Sequence, residues 1–189
     1  MMEDIIEKAK AWALEEIEKH DHPSLMNFDT ANEKGQELAE KINADKDTVL
    51  LGTILMDIKL GECFKSENRR DHTKEGAIAA KEFLEDNNVE KEIIKKVVNC
   101  VEAHHGEVPF TCKEAEICAN ADCYRFLLPH NLVSHMARNR GRGKSFEEVV
   151  KFANKKLEEK HNLLSLDICK EELEPYYKMF KELIEKAKE

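Results

Sequence analysis

Val49-Leu50-Leu51-Gly52-Thr53-Ile54-Leu55-Met56-Asp57-Ile58 is the stretch on which the fold turns. It is apolar nearly all round, as a helix enclosed by other elements must be. Asp45 and Asp47 stand just before it as capping candidates, so the pattern predicts a central helix over 46–58. One residue breaks the pattern. Asp57 lies near the end of the run, and an ionised carboxylate among apolar neighbours needs a cation, a set of donors or a metal.

Outward from this run, apolar residues recur at helical spacing. Ile5, Ile6, Ala9, Trp12, Ala13 and Ile17 predict one helix, and Ala31, Gly35, Leu38, Ala39 and Ile42 a second. Residues 59–70 read as polar and irregular. Ala77, Ala80, Phe83 and Leu84 mark a further helix that starts near His72 and ends at Asp86-Asn87-Asn88. Ile93, Ile94, Val97, Val98 and Val101 form another, running into His104-His105-Gly106 and stopped by Gly106 and Pro109. A helix over about 113–128 carries Ala115, Ile117, Cys118 and Ala121, with Asp122 one position beyond. After Pro129 come a short segment to Met136 and a basic loop containing Arg138, Arg140, Arg142 and Lys144. Ser145 and Glu148 form a capping box for the next helix, and a last one follows the loop at 163–167.

Composition agrees with this reading. The chain has 189 residues, 41% hydrophobic and 37% charged, with 7 glycines and 4 prolines. That is too few turn residues for an all-β fold, and the length fits one domain. A net charge of −9 argues against nucleic acid or an anionic membrane as partner. No apolar run approaches the roughly 18 residues of a membrane span, and Met1-Met2-Glu3-Asp4 is acidic where a secretory signal is basic, so a cytoplasmic location is expected. The six cysteines include no CxxC pair and read as reduced thiols packed as small hydrophobes.

Asp57, His72, His104 or His105, and Asp122 each lie near the end of an apolar helix. Imidazole with carboxylate suits zinc, iron, nickel or manganese. Taken singly they also fit plainer roles: a hydrogen-bonded helix end, a first-turn residue, a cation on the helix dipole, a solvated position.

The order of these residues resembles the HD-domain superfamily. Gly52-Thr53-Ile54-Leu55-Met56-Asp57-Ile58 is similar to its second motif, usually an apolar helix ending in His-Asp-Ile. His72-Thr-Lys-Glu-Gly-Ala resembles the third, Val101-Glu-Ala-His104 the fourth, and Asn120-Ala121-Asp122 the last, usually Asp-Ala-Asp. The likeness covers about residues 24–187. It implies a single all-α domain over 1–189, with a core of about 24–130 and helices 145–187 packed on it.

It also implies a metal-dependent phosphohydrolase acting on a small phosphate ester or nucleotide. Asp57, His72, His104 and Asp122 would hold a divalent ion (Mn, Ni, Fe, Zn or Mg), and Asp57 would be catalytic. Arg138, Arg140, Arg142 and Lys144 would contact the substrate phosphate, since arginine forks match phosphate oxygens.

Two departures bear on this. The family's first histidine falls at Asn27, and the histidine of its His-Asp pair is Met56, whose thioether is a poor ligand for such ions. Either the later histidines keep a second site with Asp57, or His20 or His22 replaces a lost imidazole. Lys59 sits one residue early for the family's lysine and receives no role. The alternatives to a hydrolase are an inactive nucleotide- or metal-binding sensor, with or without an ion, and a helical interaction module whose pocket Met56 fills.

Overall fold

A computed structural model gives the fold, and it describes residues 2–66 and 71–187. The fold is all-α: among the described residues there are ten α-helices and no strand. They are α1 (Met2–His20), α2 (Leu25–Ile42), α3 (Lys46–Leu55), α4 (Leu60–Lys65), α5 (His72–Asp86), α6 (Lys91–Ala103), α7 (Lys113–Leu127), α8 (Pro129–Gly141), α9 (Phe146–Leu163) and α10 (Asp167–Lys186). They group into two compact units, Met1–Ala121 and Asp122–Glu189. The boundary falls within α7, so the span of about 24–130 expected as one core contributes to both units.

In the first unit α3 is central, packed on α1, α2 and α6. Its Val49, Leu51 and Leu55 are fully buried, as a run apolar on every side requires. Asp45 caps it, its carboxylate accepting from the Thr48 N–H at 2.6 Å. α1 lays Ile5, Ala9, Ala13 and Ile17 into the same core, and Trp12 stacks on Phe83 of α5 with centroids 5.3 Å apart. α3 ends earlier than the periodicity predicts. Met56 is its C-cap, and Ile58 N–H to Leu55 O and Leu60 N–H to Asp57 O close a tight turn that carries Asp57.

Where an irregular stretch is expected, residues 60–65 form α4, which buries Gly61 and Cys63; 67–70 lie outside the described residues. A Cβ on Gly61 would fall 2.3 Å from the Cβ of His20, so the end of α1 fits against α4 only because this position is glycine.

α5 and α6 are joined by residues 87–90 and packed on one another as an antiparallel pair. At 15 and 13 residues they are nearly equal in length, so the start of α5 comes beside the end of α6. This is what brings His72 to His104.

In the second unit α8 and α10 each pack on α9. The expected capping box at the start of α9 is present, with Glu148 N–H to Ser145 Oγ at 3.1 Å and Ser145 N–H to Glu148 Oε2 at 2.8 Å. The basic stretch departs from expectation: α8 runs on through Arg138 and Arg140 to Gly141. Pro129 suits its first turn, and arginine is a good helix former, so nothing local stops the helix at Met136. The last helix likewise starts at Asp167, inside the span read as a loop. Five of the six cysteines are buried thiols and Cys112 is half-buried. Among the described residues no helix is long and apolar enough to cross a membrane.

Candidate functional site

α3 and α6 approach so closely that a Cβ on Gly52 would lie 2.6 Å from the Cβ of Cys100. Asp57 follows Gly52 by five residues and His104 follows Cys100 by four, so this crossing sets how near the two functional groups come. Asp57 Oδ1 lies 3.7 Å from Nε2 of His104 and 3.7 Å from Nε2 of His72. His104 is fully buried, and Asp57 and His72 nearly so.

His105 completes the group. One ring nitrogen from each of His72, His104 and His105 lies within 4.8 Å of the others. The His105 ring centroid is 5.1 Å from that of His72 and 4.3 Å from that of His104.

One hydrogen bond sets the chemistry of His104. Its Nδ1 lies 2.7 Å from the Val101 carbonyl oxygen, which only accepts, so Nδ1 carries the proton. Nε2, the atom facing Asp57, is then the lone-pair nitrogen of the neutral ring. A backbone carbonyl fixing one nitrogen so that the other can ligate is the usual outer support of a metal-binding histidine. Three imidazoles grouped in this way, two of them 3.7 Å from a carboxylate oxygen, are donor types suited to a borderline divalent cation. The residues present therefore fit such an ion.

Asp57 also lines a small cleft with Glu16, His22, Phe28 and Ile54. His22 thus reaches the cleft that holds Asp57, with its Nδ1 3.2 Å from the His20 carbonyl oxygen and its ring against Phe64. His20 pairs instead with Glu16 at 3.3 Å. Asn27, in the first turn of α2, and Met56 are both buried. Lys59 pairs with Glu62 at 2.8 Å.

Asp122 opens the second unit. Its carboxylate takes Arg125 Nη1 at 2.8 Å on one oxygen and Lys160 Nζ at 2.5 Å on the other. Lys160 is fully buried; burial alone would lower its ammonium pKa, but Asp122 and Glu159 hold it above the ordinary value. Of the basic residues expected to meet a phosphate, Arg140 donates to the Lys144 carbonyl and Lys144 pairs with Glu148 at 3.5 Å. Arg138 is half-buried on α8, and Arg142 is exposed at its end.

The sequence reading passed over Arg125 and Lys160. The signal for Lys160 is its spacing, since Val149, Ala153 and Leu157 form the buried stripe of α9 and Lys160 continues it by three residues. A lysine in phase with such a stripe is either misplaced or paired. Arg125 shows no comparable signal.

Comparison with known proteins supplies the family context. The sequence model of the HD domain matches residues 31–127, just over half of the chain. Ribonuclease Y of Finegoldia magna is 35% identical over 85 residues, which is 45% of this chain and only 15% of that protein's length. The Lin1889 protein of Listeria innocua has a similar fold, with a TM-score of 0.69 at 16% identity, covering 100% of this chain and 96% of the other. A protein from an uncultured Thermotogales bacterium, described as a predicted HD superfamily hydrolase, gives a TM-score of 0.64 at 16% identity over 96% and 90% of the two chains.

Proposed function

Because the chain belongs to the HD-domain family, we propose that it is a metal-dependent phosphohydrolase of a small phosphate ester or nucleotide, working with a reduced ligand set. The observation that carries this reading is the placement of Asp57 Oδ1 3.7 Å from two imidazole Nε2 atoms, one of them presented by the His104–Val101 hydrogen bond. Asp57, His72 and His104 would hold the ion, with His105 adjoining. When bound, a divalent ion there supplies Lewis acidity, generating a nucleophile from water near neutral pH and polarising a phosphoryl oxygen.

The chain's own residues do the rest. Asp57 carries the negative charge that offsets the cation, and its burial keeps bulk water from screening that interaction. The Val101 carbonyl holds a proton on Nδ1 of His104, so Nε2 is the ring nitrogen that a metal ion would take. His22 is proposed as an additional imidazole, since it shares the cleft with Asp57. Asp122 serves in this reading to hold Arg125 and Lys160.

A sensor that binds the ion without turnover is the second reading, favoured by buried Asn27 and Met56 where the family carries imidazoles. One experiment separates the two. Metal content and turnover of a phosphomonoester are measured with added Mn²⁺ or Ni²⁺ for the wild type, Asp57→Ala, His104→Ala, and Asn27→His with Met56→His. Hydrolase function requires wild-type turnover that Asp57→Ala abolishes, with metal lost in His104→Ala. Metal in the wild type with turnover only in the double reversion identifies the sensor. Equal turnover by wild type and Asp57→Ala refutes the proposed centre.

A further inference from the structure

Phe126 in the second unit is nearly buried and ringed by cations. Lys156 Nζ is 5.4 Å, Lys160 Nζ 5.7 Å and the Arg125 guanidinium carbon 6.0 Å from its ring centroid. His135 of α8 stacks on the same ring at 4.7 Å and an interplanar angle of 20°. Arg138 follows His135 by three residues on α8, the spacing that puts two side chains on one face of a helix. Three helices, α7, α8 and α9, therefore direct basic groups to one aromatic platform.

The field at this platform is positive. Burial and then Arg125, Arg138, Lys156 and Arg142 push the His135 pKa down to about 4, so the ring stays neutral. Two of the cations are fixed: Arg125 and Lys160 each take an oxygen of Asp122, and both are buried. Lys156 is different. It is partly exposed, and its partner Glu159, at 2.7 Å, is more exposed still. An ion pair between two partly exposed groups contributes little, so Lys156 can exchange it for a ligand at little cost. Glu159 also lies 3.6 Å from Lys160 and limits the excess of positive charge.

We propose that this platform is an anion subsite that takes a phosphate group, with Lys156 and Arg138 contacting the oxygens and Arg125 and Lys160 supplying fixed positive charge behind them. Arginine and lysine together match the geometry and charge of a phosphate dianion. The proposal shares with the phosphohydrolase reading only the class of ligand, and it rests on the second unit alone.

The test uses the full chain in EDTA, so that any divalent ion is removed, and follows the His135 Cε1 proton by NMR. Inorganic phosphate is titrated against sodium chloride of matched ionic strength, then a nucleoside 5′-monophosphate against its nucleoside. The expected result is a saturable shift with phosphate and with the monophosphate but with neither control. Lys156→Gln and Arg138→Gln should each raise the apparent Kd at least tenfold while leaving the amide spectrum otherwise native. Equal response to chloride, equal response to the nucleoside, or unchanged affinity in both variants overturns the proposal. Phosphate binding that requires added Mn²⁺ and disappears in His104→Ala also overturns it, because an ion in the first unit then holds the phosphate. Loss of Mn²⁺ binding in His104→Ala with phosphate affinity unchanged separates this subsite from the metal reading.

Discussion

Gly52→Ala tests the link between packing and site most directly. The added Cβ would stand 2.6 Å from Cys100 Cβ, 2.8 Å from Cys118 Sγ and 3.0 Å from Cys100 Sγ. Ordinary contact begins near 3.4 Å, and the nearest atom is a Cβ fixed to the α6 backbone, so the two helices must separate by a large part of an ångström. Overpacking of this kind costs about 1–3 kcal/mol, and the closeness of a backbone-fixed atom places Gly52→Ala near the top of that range. Alanine's better helix propensity returns up to about 1 kcal/mol. The net loss of about 2 kcal/mol corresponds to a fall in Tm of about 4–8 °C for a chain of this size.

The same displacement acts on Asp57 and His104, whose 3.7 Å separation depends on that crossing. Mn²⁺ affinity should therefore weaken in the folded variant. The assay is thermal unfolding by circular dichroism with metal titration below Tm. Gly141→Ala is the control, since a Cβ there meets nothing within 4 Å and should leave Tm unchanged or slightly raised. If Gly52→Ala unfolds at or above the wild-type Tm, the close-crossing argument is wrong.

Lys160→Met should cost about 3 kcal/mol, near the low end for breaking a buried ion pair because Arg125 still holds Asp122; a loss under about 1 kcal/mol in urea unfolding would contradict the pairing. His135 gives a pH signature. Its folded pKa of about 4 lies below the ordinary 6.5, so the unfolded chain takes up a proton that the folded chain refuses as pH falls from 6.5 towards 4. Stability should decline across that window and decline less in His135→Gln; parallel curves for the two proteins would show that this histidine is not the cause.

The sequence by itself determined the helical class, since seven glycines and four prolines leave few turns and the apolar period is helical throughout. It also marked Asp57, because a carboxylate in an apolar run is anomalous wherever the chain places it, and the capping chemistry of Asp45 and Ser145, which is local. Helix ends were less legible. α3 stops at Leu55 because a turn closed by its own backbone bonds replaces the last helical turn, and α8 continues past Met136 because arginine permits it.

Only the tertiary structure decided that His105 joins His72 and His104, because a metal-capable group is a distance between helices, not a spacing along one. It alone gave the partners of Lys160. The stripe of α9 shows that a lysine points inward, but the carboxylate awaiting it lies 38 residues earlier in the chain, and no local pattern connects the two.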